Sequence, residues 1–199
     1  MSNKDIVIAT TNAGKLEEIR YIMQNTSYNI LSLDDAGINI DIIEDGKTFE
    51  KNAMKKAITI RDICGKTVLS DDSGLVIDYL NGEPGVDTAI YLGENASYDT
   101  RFKDILYRMR LAHGSERLAS FVCVIVIALT DGSHTVVRGE VKGLISELAL
   151  GENGHGYDPI FFIPEHNKTF AQMDIKLKNS ISHRGVALEL AKEKLLKIL

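Results

Sequence analysis

Two adjacent aspartates, Asp71 and Asp72, precede Ser73-Gly74 at the end of a short β-branched run over residues 67–70. Neighbouring carboxylates repel unless solvent or a cation compensates them, and hard oxygen ligands suit magnesium or manganese. The same four residues also suit a plain turn. Glu44 ends another alternating segment and is either a third carboxylate for that site or a solvated surface acid. Thr10, Thr11, Asn12, Ala13, Gly14 and Lys15 join a strand pattern to a helix pattern. Small residues there let backbone N–H groups face an anion, with Lys15 adding a point charge. The loop is not a Walker A motif, because the first glycine is missing and Leu16 stands where Ser or Thr would hold magnesium. Without a ligand it is an ordinary connection. His155, Gly156, Tyr157 and Asp158 lie in a glycine-rich stretch that runs into the apolar residues 160–163. Such a loop either places a ring and a carboxylate against a flat ligand or is a surface loop. Lys178, His183 and Arg184 flank the start of the last helix pattern. Cations there oppose the helix dipole at a cost of up to about 1 kcal/mol, a conflict that marks function.

These groups need elements to hold them. Residues 5–10 predict a strand, 15–24 a helix, and 28–33 and 38–44 two further strands. Thr48 caps a helix that runs to Cys64 and stops at Gly65, with Phe49, Ala53, Ala57 and Ile60 as its apolar stripe and Asn52 and Lys56 beside it. Residues 67–70 predict a strand that ends at the acidic turn, and 75–78 a strand beyond it. Ser97 caps a third helix, with Phe102, Ile105, Leu106 and Met109 inward. Residues 117–130 and 134–145 predict long strands joined at Asp131-Gly132-Ser133, and 183–198 a closing helix. Early alternation of helix and strand followed by a long hairpin implies a mixed α/β sheet. No repeat or linker divides the chain, so residues 1–199 are expected to form one domain.

At 199 residues with 44% hydrophobic and 26% charged side chains, the chain has an ordinary globular composition. A net charge of -5 argues against sequence-independent binding to nucleic acid or anionic membrane. The longest apolar run, residues 121–129, is too short to span a bilayer. Cys64 and Cys123 have neither zinc nor Cys-x-x-Cys spacing and are expected to be reduced and half-buried. With no leader pattern at the N-terminus, a cytoplasmic location is expected.

In chain order stand TTNAGK (10–15), TF with NAMKKA (48–49, 52–57), DDSGL with NGEPG (71–75, 81–85), GYDPIF (156–161) and SHRG (182–185). Together they resemble the inosine/xanthosine triphosphate pyrophosphatase family, over residues 6–190. The resemblance implies an elongated mixed β-sheet flanked by helices, with two lobes, a central nucleotide cleft and a homodimer. It implies hydrolysis of ITP, dITP or XTP to the monophosphate and pyrophosphate, with Mg2+ as cofactor and Mn2+ as a substitute. Thr10 to Lys15 would then hold phosphates, and Glu44 and Asp72 the metal. Asp72 would activate the water, with Lys56 and Asn52 near the phosphates and Ser73 on the nucleotide. His155, Gly156, Tyr157, Asp158, Lys178, His183 and Arg184 would form the base and sugar side. His155, Lys51 and Ile90 depart from the Phe, Glu and Arg usual in that family. Two other readings are a nucleotide-binding regulator without catalysis and a septum-formation-type pyrophosphatase for other modified bases.

Overall fold

The computed structural model describes residues 4–198. Its strands form one mixed sheet in the order β2-β1-β3-β4-β5-β6-β7, and five α-helices accompany them among the described residues. β1 (Lys4–Ile8) pairs in parallel with β2 (Tyr28–Leu31) and with β3 (Thr67–Ile77). β4 (Leu118–Ala128) and β5 (His134–Ile145) follow, and β5, β6 (Phe161–Ile163) and β7 (Lys168–Thr169) pair antiparallel. The described residues group into two compact units, the first comprising residues 4–72, 123–139 and 184–198 and the second residues 73–122 and 140–183.

In the first unit, successive strand residues point to opposite sheet faces, and the two faces have separate cores. Ile6, Ile8, Leu69, Cys123, Ile125 and Ile127 pack with Ile19 and Met23 of α1 (Ala13–Met23) and with Ala187, Leu188, Ala191 and Leu195 of α5 (His183–Ile198). Val7, Ala9, Val68, Val126 and Ala128 pack instead with Ala53, Ala57 and Ile60 of α2 (Phe49–Cys64). α2 follows its sequence signals closely. The Thr48 side chain accepts from the Lys51 N–H, and Gly65 takes the left-handed conformation, φ 62°, that ends the helix.

In the second unit, α3 (Tyr98–Arg108) starts at its Ser97 cap and buries Ile105 against Phe121, Tyr157, Phe161 and Phe170. Arg117 is buried and donates to four carbonyls, those of Met109, Ala112, Ile145 and Ser146, which ties the end of α3 to the end of β5.

Three expectations change. The acidic residues 71–74 are not a turn, because β3 runs unbroken from Thr67 to Ile77. The predicted strand over 38–44 is irregular backbone. Its alternation is real, with Ile38, Ile40 and Ile42 packed inward, but it reflects one-sided burial without a ladder partner. Lys178 precedes the last helix as expected and lies within a short helix that the sequence pattern does not predict, α4 (Ile175–Ile181), capped by Asp174. Both thiols are free, but only Cys64 is half-buried as expected; Cys123 is fully buried, because its place on β4 puts it inside the core under α1 and α5.

Candidate active site

Sheet parity separates the two aspartates. Leu69 faces α1 and α5, so Asp71, two residues on, faces the same way, whereas Asp72 shares the α2 face with Val68. Asp71 is fully buried on its face. Lys15 Nζ lies 3.0 Å from it, Arg184 Nε 3.4 Å, and the Cys123 thiol 4.0 Å. Arg184 also pairs with Glu18, itself buried on α1. Burial opposes ionisation of Asp71, but the charges of Lys15, Arg184 and Lys56 outweigh it and hold the carboxyl below its ordinary range. The Arg184 charge at the start of α5 is thus compensated by acids from α1 and β3.

Asp72 occupies a different setting. Burial raises its pKa and the nearby Glu44 carboxylate raises it further, while Lys56, Lys15 and a hydrogen bond from Asn52 lower it, leaving it at about 6. Lys56 Nζ donates to Glu44 at 2.7 Å, so Glu44, Lys56, Asn52 and Asp72 form one polar cluster on α2 and its neighbours. The loop Thr10 to Lys15 opens α1, where the Asn12 side chain accepts from the Lys15 N–H at 3.2 Å. Thr11, Asn12 and Ala13 are exposed, and Thr10 and Gly14 half-buried.

The second unit holds the other predicted residues. Lys178 donates to Asp158 at 2.7 Å, and the His155 N–H donates to the same carboxylate oxygen at 2.8 Å. Both members of the ion pair are buried, while the His155 residue is exposed. Gly154 takes φ +78°, and a Cβ there would meet Asp158 Oδ2 at 2.1 Å, so the loop needs glycine to wrap the carboxylate. Tyr157 is buried in the aromatic core, edge-on to Tyr98 at 5.4 Å, with its hydroxyl donating to the Thr88 carbonyl at 3.0 Å. His183 is buried and stacks on Phe121 at 4.7 Å. Ser73 is half-buried within β3, and Gly156 lies beside Tyr98.

Sequence reasoning missed Glu18 and Gly46. Glu18 carried a signal, since it stands beside Ile19 within the helical apolar pattern of α1, where a charge needs a buried partner. Gly46 carried none.

The family model described as the Ham1 family matches residues 6–194 of the chain. The chain belongs to the Ham1 family. Among other Ham1 relatives, a dITP/XTP pyrophosphatase of Clostridium perfringens is 46% identical, covering 98% of this chain and 99% of its own. One of the same description from Geobacter sulfurreducens is 43% identical, covering 96% of each. The structure of a HAM1 protein from Coxiella burnetii superposes with a TM-score of 0.89 at 37% identity, over 98% of this chain and 99% of that one. The Staphylococcus aureus Ham1 protein gives 0.87 at 40% identity, again over 98% and 99%.

Proposed function

We propose that this Ham1 protein hydrolyses non-canonical purine nucleoside triphosphates, ITP, dITP and XTP, to the monophosphate and pyrophosphate, clearing them from the nucleotide pool. The observation that carries the reading is the cluster of Asp72, Glu44, Lys56 and Asn52 on one face of the first unit. Relatives matched over nearly their full length bear the corresponding activity in their names. The reading includes a single catalytic domain, a cytoplasmic homodimer, and a divalent cation for which we take Mg2+, with Mn2+ as substitute. No helix among the described residues is long and apolar enough to cross a membrane.

The donor set fits such a cation. Glu44 and Asp72 are hard oxygen donors in one cluster, and a buried carboxyl raised to about 6 beside a second acid favours additional positive charge. No group of three or more acidic, His or Cys residues converges among the described residues. Two carboxylates with phosphate and water oxygens make up the coordination usual for magnesium. When bound, the cation would neutralise phosphoryl oxygens. Asp72 orients the water that attacks the α-phosphorus and accepts its proton, a task suited to a pKa near the working pH. Lys56 and Lys15 bring positive charge to the phosphates. Lys178, Asp158, His155 and His183 would serve the base and sugar, and Tyr157 fixes the loop of His155 and Asp158 through Thr88. Arg184 is held in one orientation by Glu18 and Asp71. Buried hydrogen bonds to a 6-oxo group discriminate against 6-amino bases by roughly 10⁴ to 10⁵.

The test is incubation with magnesium and ITP, XTP, dITP, GTP, ATP and dUTP, measuring pyrophosphate and phosphate separately. Pyrophosphate release from the 6-oxo purines other than GTP is expected, and Asp72→Asn should lower turnover by about two to four decades while nucleotide still binds. Absence of turnover for every triphosphate would overturn the enzyme reading, and phosphate without pyrophosphate would move the cut to the γ-position.

A further inference from the structure

The irregular segment that carries Glu44 is pinned to α2 at three successive residues. Lys56 donates to Glu44 at 2.7 Å, Lys55 to Asp45 at 2.8 Å, and the Gly46 N–H to Asn52 Oδ1 at 2.7 Å. Asn52 is only 2% exposed, so its amide has one fixed set of neighbours. Because Oδ1 already accepts from Gly46, the NH2 group is the end that hydrogen-bonds the Asp72 carboxylate. The grip also depends on the missing side chain at Gly46. A Cβ there would stand 2.5 Å from Asn52 Oδ1 and 2.9 Å from Lys51 Cβ, closer than packed atoms approach.

We infer that Asn52 is a positioning residue, its amide clamped by Gly46 so that it sets the orientation of Asp72, and is not a phosphate ligand. The inference rests on the role proposed for Asp72. Both ends of the amide are committed inside the protein, one to the segment bearing Glu44 and one to β3. Asn52 therefore fixes the orientation of one carboxylate relative to the stretch that supplies the other. Gly46 acts through the same amide without touching Asp72.

The test uses Asn52→Ala, Gly46→Ala and the double variant, with thermal melts to confirm folding. Turnover of ITP is followed with saturating magnesium, and the ITP dissociation constant is measured in EDTA, where no turnover occurs. Misplacing a reacting group by about 1 Å costs on the order of 10²-fold. Each single variant should lose about 10- to 100-fold in kcat, with the ITP dissociation constant within about twofold of wild type. The double variant should lose well under the product of the two single losses, because the closest approach of a Cβ at position 46, 2.5 Å to Asn52 Oδ1, disappears with the amide and only the contacts with Lys51 Cβ and the Asn52 backbone remain. Rescue belongs to the same test: Asn52→Asp keeps the acceptor for Gly46 but loses the donor, and should stay impaired. A dissociation constant that rises in step with the loss of kcat would make Asn52 a substrate ligand and overturn the inference. Multiplicative losses in the double variant, or a fully active Asn52→Ala, would overturn it as well. Inactive wild-type protein would instead overturn the proposed activity, so the two failures are distinct.

Discussion

Replacing Arg184 by methionine asks whether the buried charges around Asp71 act as one cluster. Methionine keeps much of the apolar stem and removes the guanidinium that joins Glu18 to Asp71. Breaking a buried ion pair from one side costs about 3–5 kcal/mol, because an uncompensated charge stays behind. Here one cation serves two carboxylates that are 6% and 1% exposed, and Lys15, 3.0 Å from Asp71, compensates that one. Glu18 is then the carboxylate left without its cation, and the loss stays within that range, about 3–5 kcal/mol. For a chain of this length each 1 kcal/mol moves the melting temperature by roughly 2–4 °C, so a fall of about 6–20 °C is expected. Calorimetric melts and urea midpoints at pH 7 measure it. Adding Glu18→Gln to Arg184→Met removes one stranded charge and should recover about 2 kcal/mol. A fall under about 4 °C, close to 1 kcal/mol, would refute the cluster. So would a double variant no more stable than Arg184→Met.

Arg117→Met removes the donors that serve four carbonyls, three of them in buried bonds, and should destabilise the protein by about 3 kcal/mol or more, read as a lower urea midpoint. Arg117→Lys, whose single ammonium cannot span the four acceptors, should recover little of that loss, and full recovery would show that charge alone matters there. The two thiols should react at different rates. Burial, aided by the Asp71 charge, pushes the Cys123 thiol up to about 12, so at pH 8 it stays protonated as well as shielded. A thiol reagent should label Cys64 in the native protein and Cys123 only after unfolding, and two fast thiols would contradict this burial.

How far the sequence foretold the structure depended on how local the deciding forces were. α2 was legible because its cap, stripe and stop are all written within residues 48–65, and the structure places each where the pattern requires. α4 was not, since seven residues span only two turns and show little periodicity. The segment over 38–44 alternates like a strand because burial of one side imposes that pattern whether or not a neighbour pairs with it. The pairing of Glu18 with Arg184 spans 166 residues and leaves no local trace beyond an acid in an apolar stripe.

The acidic pair shows the same limit at the site itself. Asp, Ser and Gly in succession carry strong local turn preferences, and those preferences are overridden because Lys15 and Arg184 arrive on one side of β3 and Asn52 and Lys56 on the other. Side chains in a turn can converge on one ligand, whereas adjacent side chains in a strand must diverge. Asp71 is consequently drawn into the α1 and α5 face, where cations keep it ionised and fixed. Asp72 is left on the α2 face, where burial and Glu44 keep its proton affinity high. Residue type makes the two aspartates equivalent. The two-residue period of the strand makes one of them a buried counter-ion and places the other beside Glu44 and Lys56, where the proposed chemistry needs it.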